Sequence, residues 1–244
     1  MEPIEAPTQQ MEATELAGRR ALVVSGHGPV GRAIAALLEE RGAAVQLVDK
    51  AASDWRAEPL GYEDVDLLVH DASALEEALS EEPALYSDGD VLQQACLGPM
   101  QARGFGRIVH VARSLPTDEA SRLRRLGGWL QPSPPLARRG PNFARDGLRA
   151  LVRGGALVVA GSNVTANLVE VGALTAGGAG SALEAEWNEA LLRHTPRGRA
   201  ATPTEIAQAV AFLASPRAGY VTGTVLPASG GLGLGLYPEQ YGAD

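Results

Sequence analysis

Arg20-Ala21-Leu22-Val23-Val24-Ser25, followed by Gly26-His27-Gly28-Pro29-Val30-Gly31 and then by Arg32 to Arg41 (RAIAALLEER), decides the fold of this chain. The first six residues are a short β-rich apolar run, and Val30, Ile34, Leu37 and Leu38 return at helical spacing. The order is strand, glycine turn, helix. Gly26, Gly28 and Gly31 fit G-x-G-x-x-G, in which missing side chains let the backbone approach a pyrophosphate and the helix N-terminus favours its charge. Asp49 closes the next apolar run, Ala44 to Asp49, near the ~20-residue spacing at which a carboxylate accepts the ribose hydroxyls of NAD, so NAD is favoured over NADP. The same residues have a plainer reading. The glycines permit a tight turn and close packing, Asp49 is a solvated strand end, and Pro29 removes one N–H from the loop.

Outward from this unit the alternation continues. Strands are predicted at Asp66 to His70, Arg107 to Val111, Asn163 to Val169 and Gly223 to Pro227. Helices are predicted around Ala74 to Glu82, Val91 to Arg103, Phe143 to Ala160 and Thr204 to Ala214, the last opened by Pro203 and capped by Thr202. Strands alternating with helices give an α/β fold with one doubly wound parallel sheet. Residues 1–17, with Pro3, Pro7, Gln9 and Gln10, read as a flexible tail before a single domain over 18–244. A Pro- and Arg-rich excursion at about 113–140 reads as an insert.

The bulk numbers narrow the function classes. A net charge of -8 argues against nucleic acid as a partner. No apolar run reaches the roughly 20 residues of a membrane span. Cys96 is the single cysteine, so neither an internal disulfide nor a CxxC metal site is available, and a cytoplasmic location is expected.

The glycine loop, Gly104-Phe105-Gly106-Arg107-Ile108-Val109 and above all Thr195 to Gly231 resemble the short-chain dehydrogenase/reductase family from about Arg19 to Gly235. The resemblance implies a Rossmann-type sheet of seven parallel strands with three helices on each face, assembled as dimers or tetramers. It also implies that the span between Asp49 and Asp66 is about half the family's length, so the third-strand region is shortened and the adenine side of a cofactor pocket is cut away.

Family members move a proton with a tyrosine hydroxyl whose pKa is lowered by a lysine four residues later, while a serine orients the substrate carbonyl. On the family's register the lysine position is Arg145, the tyrosine position is Pro141 or Phe143, and the serine position is Arg113 or Ser114. Lys50 is the only lysine, so no Tyr-x-x-x-Lys motif exists anywhere in the chain. Neither Pro nor Phe has an ionisable hydroxyl, and a guanidinium is a poor proton donor near neutral pH. His70-Asp71 lacks a third group for acid–base work, and His110 reads as a hydrogen-bonded core histidine.

Two functions are therefore expected. The first is a non-catalytic subunit, with no NAD or weakly bound NAD, that assembles with an active short-chain dehydrogenase as a hetero-oligomer. The alternative is an NAD(H)-dependent oxidoreductase with an atypical active site for acyl-CoA or carrier-linked substrates.

Overall fold

A computed structural model of the chain describes residues 14–25, 28–49, 61–74, 84–113, 140–175 and 191–232, with positions 185, 188, 189 and 234. Strand β1 (Arg20–Ser25) leads into helix α1 (Pro29–Glu40), strand β2 (Ala44–Asp49) and a 3-10 turn (Tyr62–Asp64). Then come β3 (Leu67–Ala72), α2 (Ala84–Arg103), β4 (Gly106–Arg113), α3 (Gly140–Val158) and β5 (Val164–Val171). Helix α4 (Pro203–Ala214), a second 3-10 turn (Pro216–Ala218) and β6 (Val225–Ala228) close the fold.

The six strands form one parallel sheet in the order β2-β1-β3-β4-β5-β6. Alternating side chains divide it between two helical layers. Val23, Val69, Val109 and Val169 pack with α1 and α4, whereas Leu22, Val24, Leu68, Ile108 and Ala166 pack with α2, and Leu168 with α3. This is the expected doubly wound sheet. Among the described residues β2 is the outer strand and its Leu47 is 44% exposed, while residues 50–60, where the shortened third-strand region is expected, lie outside them.

Several element boundaries differ from the sequence reading. β3, β4 and β5 run further at their carboxyl ends, because the ladder carries Asp71 opposite Val111 and Arg113 opposite Val171 whatever their own β-propensity. Helix α2 begins at Ala84, ahead of the predicted start at Val91, and passes through Gly89 and Pro99. β6 begins at Val225, since Gly223 turns the chain at φ +69. The predicted helix at 75–82 and the insert at 114–139 lie outside the described residues.

The end of the predicted tail is also part of the fold. Leu16 is fully buried and its N–H donates to the Arg41 carbonyl at 3.0 Å. Glu15 takes Arg41 at 2.7 Å and Arg217 at 3.0 Å. Packing of Leu16 against the α1 layer thus places the domain's start ahead of residue 18.

At α4 the sequence reading holds in detail. Thr202 caps the helix, its Oγ1 accepting from the Glu205 N–H at 3.2 Å while the Glu205 carboxylate accepts from the Thr202 N–H at 2.9 Å. Arg199 clamps the same carboxylate and is the main reason its pKa falls to about 2. Thr202→Ala removes one half of this box, so urea unfolding is expected to show a loss of about 1 kcal/mol.

Candidate active site

The chain steps from β1 outward to β2 and then returns past β1 to β3, so the winding reverses between β1 and β3. In open α/β sheets the crevice at the carboxyl ends of such a pair is where ligands bind. Gly28 and Gly31 of the glycine loop stand there. Gly28 is the N-cap of α1 with extended backbone, no side chain caps the helix, and no acidic residue stands in its first turn. The space a Cβ on Gly28 would enter is open. The start of α1 therefore presents N–H groups and positive dipole to that space, less the one that Pro29 lacks.

Gly31 has a different task. A Cβ there would stand 2.1 Å from Ser25 Oγ and 3.2 Å from Asp71 Oδ2. Its absence lets α1 lie directly on the end of β1. Asp49 ends β2 in register with Ser25, which puts its carboxylate at the same edge of the sheet. Gly26 lies outside the described residues.

A hydrogen-bonded string crosses the carboxyl ends of four strands. The buried Asp71 carboxylate accepts from Ser25 Oγ at 2.8 Å and from the Ser73 N–H at 3.0 Å. The Ser73 carbonyl accepts from Arg113 Nε at 2.6 Å, and Arg113 Nη1 donates to the Gly172 carbonyl at 3.3 Å. β1, β3, β4 and the turn after β5 are thereby tied together by side chains that a purely apolar edge could not supply. Arg113 is one of the two candidates for the family's serine position, and it is a buried clamp on two main-chain carbonyls. The other candidate, Ser114, lies outside the described residues.

Positions Pro141, Phe143 and Arg145 fall in the first turns of α3, with their side chains outside the described residues. One turn further, Arg149 holds Glu170 of β5 through both carboxylate oxygens, Nη2 to Oε2 at 2.7 Å, and lies 3.5 Å from Asp146. The hydrogen bond with Glu170 is the main cause of the raised Arg149 pKa. Sequence reasoning passed over this pair, although a lone carboxylate in the apolar run Val164–Val171 demanded a partner.

The structure separates His70 from Asp71. Asp71 serves the β1 crevice, whereas His70 turns to the α2 and α3 side and pairs with His110. Burial pushes the Cys96 thiol up to about 12, which removes it as a nucleophile. Among the described residues no three His, Cys, Asp or Glu side chains group as metal ligands, and no helix is long and apolar enough to cross a membrane.

Residues 140–233 match a family model described as enoyl-(acyl carrier protein) reductase. The chain is 32% identical over 241 residues to the (2S)-[(R)-hydroxy(phenyl)methyl]succinyl-CoA dehydrogenase subunit BbsC of Thauera aromatica, covering 90% of this chain and 87% of that one. It belongs to the short-chain dehydrogenase/reductase family. The 3-oxoacyl-[acyl-carrier-protein] reductase FabG of Vibrio harveyi is 27% identical over 240 residues, with 89% and 98% of the two chains covered. Among solved structures, a candidate NAD(P)-dependent gluconate 5-dehydrogenase from Beutenbergia cavernae, holding NADP at low occupancy, has a TM-score of 0.67. It is 26% identical, covering 91% of this chain and 98% of that one.

These relatives correct the first functional expectation. Short-chain dehydrogenase/reductase proteins named as reductases and dehydrogenases match about nine-tenths of this chain, pointing to an oxidoreductase, and none indicates a non-catalytic subunit. The Tyr-x-x-x-Lys motif is absent from the chain all the same, because Lys50 is its only lysine.

Proposed function

We propose that the chain is an NAD(H)-dependent oxidoreductase with an atypical active site, acting on acyl groups carried as thioesters by coenzyme A or by a carrier protein. The observation that carries this reading is likeness along almost the whole chain to a carrier-linked 3-oxoacyl reductase and to a succinyl-CoA dehydrogenase subunit. The residues present fit the phosphate half of a dinucleotide. Gly28 leaves open space at an uncapped helix start, and Gly31 seats that helix on β1. When bound, the coenzyme supplies or takes a hydride.

The carboxylate of Asp49 at the β2 end favours ribose hydroxyls over a ribose phosphate. With β2 exposed as the outer described strand, the adenine side has less surface to bury against, so a weak hold on NAD is expected. Around the crevice the chain contributes the fixed cation of Arg113, whose field favours negative charge developing at a substrate oxygen. Proton transfer does not use the family's phenol and ammonium, because Lys50 is the only lysine.

The test is direct turnover by the purified chain with a 3-oxoacyl-CoA and with its carrier-protein equivalent, each with NADH and with NADPH. Reduction to the 3-hydroxy thioester is expected, faster with NADH, and Asp49→Ala should narrow the difference between coenzymes. No turnover with any of the four combinations would overturn the proposal.

A further inference from the structure

His70 and His110 stand opposite each other on β3 and β4, both fully buried, with their Nδ1 atoms 3.2 Å apart. His110 Nε2 lies 3.2 Å from Gln93 Oε1 on α2, and Gln93 Nε2 donates to the Leu151 carbonyl of α3 at 3.1 Å. Proton positions follow from this order. A carbonyl only accepts, so the Gln93 amide nitrogen must face Leu151 and its oxygen must face His110. His110 therefore carries its proton on Nε2, its Nδ1 is an acceptor, and His70 donates from Nδ1.

All donors thus point one way, from the sheet through α2 into α3. The surroundings leave the string little room to rearrange. A Cβ at Gly89 would stand 2.8 Å from Leu148 Cδ2 and 3.2 Å from His70 Nδ1, and one at Gly155 would stand 2.6 Å from Gln93 Nε2. Both helices are fitted around these side chains.

We propose that the string His70–His110–Gln93–Leu151 is an acid-sensitive latch that seats α2 and α3 on the sheet while His110 is neutral and releases them when His110 gains a second proton. Protonation at His110 Nδ1 would either set two N–H groups against each other across 3.2 Å or force His70 to move its proton to Nε2, and in both cases it places a charge in the core. Among the described residues, the charged side chains of α3, β5 and the carboxyl edge of the sheet hold partners of their own. Arg149 on α3 is closed onto Glu170 of β5 and Asp146, and Asp71 and Arg113 are bonded at the carboxyl edge of the sheet. Asp88, next to Gly89 on α2, is buried, and Asp90 is only partly exposed.

The direction of the pH effect follows from burial, which lowers the His110 pKa from 6.5 to about 4. Between these values the unfolded or released chain binds a proton that the latched form does not. Stability is complete above about pH 6.5 and is lost as pH falls toward about 4. At pH 5 the latching equilibrium weakens about thirty-fold relative to pH 8.

Amide hydrogen exchange of the full chain, corrected for the intrinsic pH dependence of exchange, tests the latch between pH 8 and pH 4.5. Protection in 88–100 and 148–156 is expected to fall by tens of fold while that of β1 and α1 changes much less. His110→Gln can accept from His70 and donate to Gln93 without titrating, so it should remove most of this pH dependence. Uniform loss of protection across the sheet, or the same pH dependence in His110→Gln, overturns the proposal. Should that variant fail to fold, nitrogen-15 NMR of the histidine rings in the wild-type chain decides instead. A neutral Nε2–H tautomer at His110 at pH 6 is expected, and a charged ring or an Nδ1–H tautomer there overturns it.

Discussion

Gly31→Ala is expected to cost about 3 kcal/mol of stability, or roughly 10 °C in Tm, and to abolish coenzyme-dependent turnover. The added methyl would meet Ser25 Oγ at 2.1 Å and Ser25 Cβ at 2.4 Å, and serine is too short to swing its Cβ away. Helix α1 must lift from β1 instead, which moves the open N-terminus at Gly28 away from the crevice. The physical cause can be isolated by pairing the change with Ser25→Gly, which deletes both atoms the methyl would strike. In that background Gly31→Ala should cost under about 1 kcal/mol, although the Ser25–Asp71 hydrogen bond is gone. Strictly additive urea-unfolding energies for the two substitutions would show that contact with Ser25 is not the reason for glycine.

Arg107→Met is expected to be at least as damaging, at about 4 kcal/mol. Arg107 opens the amino end of β4 with 1% of its surface exposed, and all its hydrogen bonds go to uncharged oxygens. Its Nε donates to the Ser215 carbonyl at 3.3 Å, and Nη1 donates to the carbonyls of Gly106 at 2.8 Å and Asn163 at 3.0 Å. Ser215 is the C-cap of α4, so the negative end of that helix supplies part of the countercharge. The Phe105 ring adds to it, with its centroid 4.4 Å from the Arg107 guanidinium and 3.7 Å from that of Arg19. Burial, with Arg19 nearby, draws the Arg107 pKa below its usual value without discharging it. Methionine fills much of the volume but leaves those carbonyls short of a donor. Arg107→Lys keeps the charge but loses the planar fork, and should recover less than half of the loss. An unfolding midpoint for Arg107→Met close to the wild-type value would show that these contacts are dispensable.

The two kinds of residue in these experiments were unequally legible in the sequence. Gly31 could be read because its constraint is local. A strand, a turn and a helix of known geometry meet within a dozen residues, and β1 and β2 occupy the ranges their apolar runs predict. Arg107 could not be read, since two of the three carbonyls it serves lie 56 and 108 residues further along. The site follows the same division. Gly28, Gly31 and Asp49 are brought to one crevice, but the role of Arg113 depends on Ser73 and Gly172, which only the finished sheet brings within its reach. His110 was legible as a hydrogen-bonded core histidine, whereas its pairing with His70 needed the register of β3 against β4. The functional error had another origin. The absence of one proton-transfer motif was equated with absence of catalysis, although the residues that remained could still form a crevice of the same topology.

The contact of Glu15 with Arg217 closes a loop of 202 residues, and the apolar face of α1 is covered by Ile206, Ala207 and Val210 of α4. A chain leaving the ribosome therefore makes its glycine-turn unit long before the helix that covers it. Until residue 214 has emerged, Ile34, Leu37 and Leu38 have no helix to bury them, and Arg107 has no Ser215 carbonyl to bind. Nascent chains halted ahead of α4 should expose this face to holding chaperones and proteases.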